Sequence, residues 1–242
     1  VHPVQLVTFN LLAMSDTVRA IFNRIAPVYD QLNDQLSLGQ HRIWKKMAVK
    51  WSGAQPGDTC LDICCGSGDL TLLLAEATAN TGQITGLDFS TAQLAIAQQR
   101  AQHHIPPCQI QWLEGNALQL PFADQTFDAI TMGYGLRNVG NIPACLQEIY
   151  RVLKPGAKAA ILDMHRPTSA WVRTFQQWYL DAIVVPTATR HGLTDEYAYI
   201  APSLDQFPTG TEQKQLARQV GFSTVVHYPI AGGTMGVLVV LK

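Results

Sequence analysis

Charge is scarce in this sequence and is not clustered. The chain has 17 lysine and arginine residues against 18 aspartate and glutamate residues, a formal net charge of −1. Because no basic run stands out, electrostatics give little support to a nucleic-acid partner, and we expect none. The sequence also lacks an apolar run of the roughly 18 residues that a membrane-spanning helix needs. These absences argue against a nucleic-acid-binding protein and against an integral membrane protein.

Cysteine pairs are missing as well. The five cysteines, Cys60, Cys64, Cys65, Cys108 and Cys145, form no Cys-x-x-Cys motif and have no histidine at a spacing suited to zinc. We interpret them as small apolar side chains of a protein in a reducing compartment, and we expect no metal.

The length of 242 residues suits one domain with a large core. The segment 1–13 is apolar without the basic start of a signal peptide, and Met14 directly precedes Ser15 and Asp16, which suit a helix cap. We therefore expect Met14 to be the natural start, residues 1–13 to be an extension, and the domain to cover residues 14–242.

The most informative stretch is residues 61–69, Leu-Asp-Ile-Cys-Cys-Gly-Ser-Gly-Asp. An apolar run breaks into Gly66, Ser67 and Gly68, and a helical pattern follows, so the order is strand, glycine turn and helix. Such a turn lets a ligand approach the backbone closely, next to the free N–H groups of the helix start. Asp88 ends the next apolar run, where nucleotide-binding units carry a ribose-binding carboxylate.

Three interpretations of this turn are open. A dinucleotide fingerprint needs a small residue where Thr71 stands, and the turn is bracketed by Asp62 and Asp69, which would repel a pyrophosphate. The same carboxylates suit the amino group and sulfonium of S-adenosylmethionine, which we favour. An NAD-dependent oxidoreductase is the alternative enzyme, and an ordinary tight turn without a ligand is the third interpretation.

Strand and helix patterns alternate along most of the chain. Strands are predicted near 59–64, 83–88, 109–113, 127–132 and 157–163, and helices near 69–79, 91–103 and 143–152. This alternation indicates an α/β protein, a doubly wound Rossmann-like parallel sheet with helices on both faces. Segment 16–52 is predicted as an N-terminal helical cap and segment 164–210 as a helical insertion. A helix near 211–220 and two strands, 222–228 and 235–241, close the sheet, and we expect these strands to be antiparallel.

The insertion begins with a helix predicted over 169–185, which Pro186 should end. Trp171, Phe175 and Trp178 recur on it at helical spacing. Such a stripe either lines an isoprenoid groove or forms an ordinary buried face, and we favour the buried face.

Four stretches of the sequence, one of which is the glycine turn, are informative when taken together. They are Phe-Asn-Arg-Ile-Ala-Pro-Val-Tyr-Asp at 22–30 with Leu-Ser-Leu-Gly-Gln-His-Arg at 36–42, the glycine turn, residues 120–128, and Gly-Leu-Arg-Asn-Val at 135–139 with Arg-Val-Leu-Lys-Pro-Gly at 151–156. Together they resemble the ubiquinone/menaquinone-biosynthesis C-methyltransferases, which are class I adenosylmethionine enzymes. The Cys-Cys-Gly-Ser-Gly turn is similar to the branch of cyanobacteria and plants, which methylates a naphthoquinone with a phytyl tail.

The resemblance implies a set of cofactor contacts to S-adenosylmethionine. They fall on Ser67 in the turn, on Asp88 for the ribose hydroxyls and on Asn116 and Ala117 beside the adenine, with Asp62, Gly66 and Gly68 completing the motif. The family often has serine where this chain has Gly133, so a hydroxyl contact is missing at that position.

The implied reaction methylates a ring carbon, which is a weak nucleophile until the neighbouring ring hydroxyl loses its proton. We predict Arg137 as the cation that stabilises the resulting phenolate, because a guanidinium is too weak an acid to serve as the base. A structural pairing of Arg137 with Asp163 or Asp128 is the alternative.

Weaker catalytic candidates are polar side chains near the same expected site. Tyr29 and Asn138 are predicted to hydrogen-bond the ring oxygens, and His41 or His165 to take the proton. Tyr29 is equally compatible with a packing role in the cap.

The expected partner is a lipid-tailed quinol, with a phytyl naphthoquinol favoured over a ubiquinone- or plastoquinone-type benzoquinol. We expect a cytoplasmic protein with peripheral membrane contact, in a cyanobacterial cell or a plastid-type compartment, and the sequence is compatible with a homodimer. A non-catalytic quinone- or lipid-binding module is the alternative from another functional class.

Overall fold

The structure is a computed structural model that describes residues 19–104 and 109–242, with the side chain of Tyr29 left aside. Its centre is a seven-stranded sheet. The strands are β1 (Thr59–Ile63), β2 (Gln83–Asp88), β3 (Ile110–Glu114), β4 (Phe127–Gly133), β5 (Leu153–Met164), β6 (Thr224–Ile230) and β7 (Met235–Leu241). Their spatial order is β3-β2-β1-β4-β5-β7-β6. The first five are parallel, and β7 runs antiparallel to both β5 and β6. The predicted sheet and its antiparallel closing pair are confirmed.

Helices cover both faces of the sheet. They are α1 (Tyr29–Ser37), α2 (Gln40–Ser52), α3 (Asp69–Ala77), α4 (Thr91–Gln102), α5 (Ile142–Val152), α6 (Ala170–Tyr179), α7 (Val185–Thr189), α8 (Thr194–Ala198), α9 (Ile200–Gln206) and α10 (Gly210–Val220). Residues 19–25 are also helical. Local capping explains several starts: Asn141 caps α5 by accepting from the Ala144 N–H at 3.0 Å, and Thr209 and Glu212 form a capping box at α10.

Two hydrophobic clusters sandwich the sheet. One joins α5 and α10 to the strands through residues such as Leu146, Ile149 and Ala217. The other joins α2 and α3 to the opposite face through Val49 and Leu74. Helix α2, predicted as part of the N-terminal cap, packs directly on the sheet.

A third cluster joins the N-terminal cap to the insertion. Ile25 and Leu32 pack against Leu180, Val184 and Leu193, all of them buried. The Tyr179 hydroxyl also donates to the Leu36 carbonyl at 2.6 Å. The N-terminal cap and the insertion, which were predicted as two segments, thus pack together as one helical layer.

The predicted course of the insertion is wrong at two points. Pro186 does not end the helix: a π-helical turn (Leu180–Val184) follows α6, and Pro186 lies in the first turn of α7, where a missing N–H is tolerated. The aromatic stripe is not buried either. Trp171, Phe175 and Trp178 are 88%, 58% and 55% exposed, while the inward side of α6 carries Gln176.

The connection into β5 also differs from the prediction. Helix α5 ends at Val152 as expected, but the strand starts at Leu153 and includes the Lys-Pro-Gly segment that was predicted to precede it. The pairing with β4 shifts register between Phe127 and Ala129, so a bulge accommodates the proline and glycine.

Candidate active site

The glycine turn between β1 and α3 has the backbone that its sequence predicts. Gly66 and Gly68 have φ angles of +54° and +90°, and a Cβ at Gly68 would lie 2.8 Å from the Trp112 ring. The Asp88 carboxylate accepts from the Gly66 N–H and the Ser90 N–H, each at 2.8 Å. Burial raises the pKa of Asp88, and these two N–H groups oppose the rise. Asp88, at the end of β2, therefore stabilises the conformation of the glycine turn.

A cavity of about 470 Å³ opens at the carboxyl ends of the first four strands. Of the residues predicted for the site, six line it: Gly66, Asp88, Asn116, Ala117, Gly133 and Asn138. Ligands of open α/β sheets bind at this edge, so the structure brings half of the predicted site together in the expected place.

One end of the cavity is formed by the segment after β4. Tyr134 has a left-handed backbone, φ +60°, between two glycines, and the Asn138 amide nitrogen donates to its carbonyl at 2.9 Å. The Asn138 Oδ1 atom is buried and has no hydrogen-bond partner among the described residues. A Cβ at Gly133 would lie 2.7 Å from the Leu70 side-chain methyl, so a serine at this position would require the Leu70 side chain to shift.

Three predicted cofactor residues lie just outside the cavity lining. Asp62 is fully buried and accepts from the hydroxyls of Thr71 (2.7 Å) and Thr131 (2.9 Å). Burial raises the pKa of Asp62 to about 7, even though both hydroxyls favour its ionised form. The Ser67 side chain is turned away toward Asp30, and Gly68 packs on Trp112. These three residues support the conformation of the glycine turn without lining the cavity.

Arg137 does not line the cavity, so the predicted direct contact with the acceptor needs correction. Its guanidinium forms a buried ion pair with Asp163, and its Nε donates to Ser203 Oγ at 3.0 Å. The Arg137 N–H also donates to Asp163 at 2.9 Å. Burial raises the pKa of Asp163, and the guanidinium opposes the rise. The alternative stated for Arg137, a pairing with Asp163, is the arrangement found.

Two of the three other catalytic candidates, His41 and His165, are not found in the cavity lining. His41 is buried and its Nε2 lies 2.7 Å from Asp34. His165 lies 3.2 Å from His227, Nε2 to Nε2, and burial together with this neighbour lowers its pKa to about 3. Neither histidine is in place to take a proton from a ligand in the cavity. Tyr29 begins α1, and its side chain lies outside the described part of the structure.

A charged network holds the glycine turn from the cap side, and the sequence analysis missed it. Arg100 donates to Asp30 (3.0 Å), to the Ser67 carbonyl (2.9 Å) and to Asp69 (2.5 Å). Lys45 on α2 donates to the other oxygen of Asp69 at 2.5 Å. Burial alone would raise the pKa of Asp69, but the two cations hold it well below its usual range.

The helical segment 19–25, predicted as part of the N-terminal cap, covers the mouth of the cavity, a position that the sequence did not indicate. Arg19 pairs with Glu114 across the mouth, and the Phe22 ring lies 6.1 Å from the Phe89 ring. The Ser90 hydroxyl donates to Asn23 at 2.6 Å. Only an amphipathic pattern signalled this segment, and its partners lie more than 60 residues away in the chain.

Among residues 19–104 and 109–242, no helix is long and apolar enough to cross a membrane. The same residues contain no group of three or more histidine, cysteine, aspartate or glutamate side chains that could hold a metal ion. Cys60, Cys64, Cys65 and Cys145 are free thiols, and Cys108 lies outside the described residues.

The strand order with its antiparallel last pair, and the glycine turn beside an acidic strand end, define a class I adenosylmethionine-dependent methyltransferase fold. The model of the ubiE/COQ5 methyltransferase family matches residues 11–242. The chain belongs to that family, which confirms the resemblance and favours the methyltransferase over both alternatives, an oxidoreductase and a non-catalytic module.

Named relatives cover nearly the whole chain. A 2-phytyl-1,4-naphthoquinone methyltransferase of a Nostoc species is 65% identical, over 95% of this chain and 100% of its own. The enzyme of that name from a Synechocystis species is 58% identical, over 94% and 95%. The chloroplastic 2-phytyl-1,4-beta-naphthoquinone methyltransferase of Arabidopsis thaliana is 52% identical, over 94% and 88%.

Solved structures with the same fold are more distant in sequence. A putative S-adenosyl-L-methionine-dependent methyltransferase from Methanococcus maripaludis superposes with a TM-score of 0.66 at 20% identity, covering 91% of this chain and 93% of its own. A SAM-dependent methyltransferase from Aquifex aeolicus gives 0.59 at 18% identity, with 81% and 88% covered. At this identity the likeness concerns the fold alone.

Proposed function

We propose that this protein transfers the methyl group of S-adenosylmethionine to a ring carbon of a phytyl-tailed naphthoquinol. The observation that carries the proposal is a single cavity with two polar ends. Asp88 and the glycine turn form one end, and Asn138, whose buried oxygen has no partner among the described residues, forms the other. The names of relatives more than 50% identical to this chain supply the acceptor class.

The cofactor end fits an adenosine. Asp88 ends β2 with a carboxylate able to accept from ribose hydroxyls, and Asn116 and Ala117 line the wall beyond β3. When bound, S-adenosylmethionine supplies an electrophilic methyl group on a sulfonium. The task of the chain is then to hold the acceptor ring against that methyl group and to exclude water.

The acceptor end determines how readily the ring becomes nucleophilic. With a tyrosine-like pKa of about 10, ionising a quinol hydroxyl at neutral pH costs roughly 4 kcal/mol. We expect the Asn138 Oδ1 atom to accept from such a hydroxyl, which would increase electron density on the ring. Arg137 follows β4 in the same turn, and we assign it a positioning role, because its guanidinium is engaged by Asp163 and Ser203.

Membrane contact belongs to the same proposal. The substrate tail resides in a bilayer, and helix α6 exposes Trp171, Phe175 and Trp178 along one stripe. Tryptophan favours the interface between water and lipid, where an apolar ring and a polar N–H are both satisfied. This supports a peripheral attachment through α6. The Synechocystis and chloroplastic relatives support a cyanobacterial or plastid-type compartment. Dimerisation through the same stripe is the competing prediction.

The experiment is a methyl-transfer assay with S-adenosylmethionine and demethylphylloquinone in vesicles, with and without a reductant. Product should form only with the reduced ring, because the quinone has no ionisable hydroxyl and is itself an electrophile. A prenylated benzoquinol in the same vesicles tests the alternative acceptor. Methylation under strictly oxidising conditions, or a preference for the benzoquinol, would contradict the proposal.

A further inference from the structure

Gln93 is a buried side chain whose amide has no hydrogen-bond partner in the described part of the structure. The residue is 1% exposed and lines the candidate cavity. Both its Nε2 and its Oε1 atoms are without a partner among the described residues. Burying an unpaired amide is unfavourable relative to an apolar side chain of similar shape, so the glutamine needs an explanation.

The position of this amide is well defined by its surroundings. Gln93 lies in the first turn of α4, and its N–H donates to the capping Ser90 hydroxyl at 3.2 Å. Its Oε1 is 3.9 Å from the place where a Cβ would stand on Gly66. Because the Gly66 N–H donates to Asp88, the Gln93 amide lies beside the paired turn and strand end.

The hydrogen-bonding groups of the Gln93 amide suit a ribose that is bound to Asp88. An ionised Asp88 can only accept, so a ribose hydroxyl that donates to it still has oxygen lone pairs that need a donor. The amide nitrogen of Gln93 provides such a donor, and its oxygen can accept from the second hydroxyl. Carboxylate and amide together would therefore satisfy both hydroxyls of one ribose.

We propose that Gln93 binds the adenosine portion of the cofactor through its ribose hydroxyls. The proposal rests on the proposed function, since it requires S-adenosylmethionine in this cavity. It adds a binding residue in the first turn of α4, which no part of the glycine motif identifies.

The test compares Gln93→Met with wild type by calorimetry and by thermal unfolding. Affinity for S-adenosylmethionine should fall about 25- to 100-fold, the loss of two net hydrogen bonds at about 5- to 10-fold each. The Tm of the ligand-free variant should stay unchanged or rise, because the unpaired amide is gone. Gln213→Met is the matched control: Gln213 is equally buried, but its Nε2 donates to the Pro208 carbonyl at 2.8 Å. That variant should lose Tm and keep its affinity.

The affinities for adenosine and S-adenosylhomocysteine show which part of the cofactor Gln93 contacts. The Gln93→Met change should weaken both by the same factor, whereas a loss seen only with S-adenosylhomocysteine would overturn the ribose assignment. Equal affinity of wild type and Gln93→Met, or a lower Tm in the ligand-free variant, would overturn the inference. Gln93→Leu repeats the test with a second apolar side chain. A wild-type protein that binds no S-adenosylmethionine would instead contradict the proposed function.

Discussion

Replacing Arg137 by alanine is expected to destabilise the protein in a pH-dependent way. The change leaves the Asp163 carboxylate buried, 1% exposed, without its cation. Breaking a buried pair typically costs about 3–5 kcal/mol. Asp163 retains two donors, the backbone N–H groups of residue 137 (2.9 Å) and Met164 (2.7 Å), so we expect the lower end, about 3 kcal/mol. For a chain of this length that lowers the Tm by roughly 6–12 °C.

The pH dependence follows from the raised pKa of Asp163 in the folded protein. A carboxyl group with a raised folded pKa contributes stability below its unfolded value, near 4, and loses that contribution as the pH rises through the folded value. Removing the guanidinium, which opposes the rise, widens this window. The loss in Arg137→Ala should therefore be largest at about pH 8 and smallest at about pH 5.

Urea unfolding at several pH values measures this loss. The pair of Arg42 and Asp34 provides the control, since the Arg42 side chain is 68% exposed and Arg42→Ala should therefore destabilise the protein far less than Arg137→Ala. A pH-independent loss below about 1 kcal/mol for Arg137→Ala would refute the reasoning.

The double variant Arg137→Met/Asp163→Leu separates stability from chemistry. It replaces the pair by apolar side chains and should regain most of the lost stability. If methyl transfer returns with stability, Arg137 acts through positioning, as we assign it. If stability returns without turnover, the charge of Arg137 takes part in the reaction and the assignment is wrong.

Four other predictions follow from the described geometry. Asp88→Ala should weaken S-adenosylmethionine binding about 10- to 100-fold by calorimetry, the cost of a charge-assisted contact, and unchanged affinity would remove Asp88 from the site. Asn138→Leu should lower kcat about 10²-fold while cofactor affinity barely changes; a parallel loss of both would indicate a damaged cavity instead. The pKa of His165 is lowered to about 3, so the stability it contributes above its unfolded value of about 6.5 is lost as the pH falls toward 3. His165→Phe should flatten the acid decline of stability below about pH 6 in urea titrations, and a slope equal to wild type would contradict this. Trp171→Ser with Trp178→Ser should reduce flotation with liposomes, whereas retained flotation and a changed oligomeric state would favour dimerisation through α6.

The sheet and the glycine turn were predictable because their signals are local. Apolar runs punctuated by glycine and proline mark each strand, and Gly66, Gly68 and Asp88 follow from their place at strand ends. The prediction for α6 was wrong because a stripe such as Trp171 to Trp178 shows that a helix has an apolar face, without showing what that face contacts. Gln176, which donates to the His165 carbonyl, forms the inward side instead.

The remaining site residues depend on contacts distant in sequence. Arg137 pairs with a carboxylate 26 residues away, and Arg100 reaches Ser67 and Asp30 across 33 and 70 residues. Gln93 looks like any surface glutamine in the pattern of α4, and its burial depends on the strands and turn around it. No periodicity within a single helix or strand contains this information.

The glycine turn is held in place partly by residues outside the strand–turn–helix unit that contains it. The hydroxyl of Ser67 donates to Asp30 and the carboxylate of Asp69 accepts from Lys45, and both partners precede the first strand. A fragment starting at β1 would lose both of these contacts to the turn, although neither partner lines the cavity. A chimera that exchanges the leading helices between related enzymes must therefore bring a matching carboxylate and ammonium with them, or its cofactor affinity will fall without any change in the pocket itself.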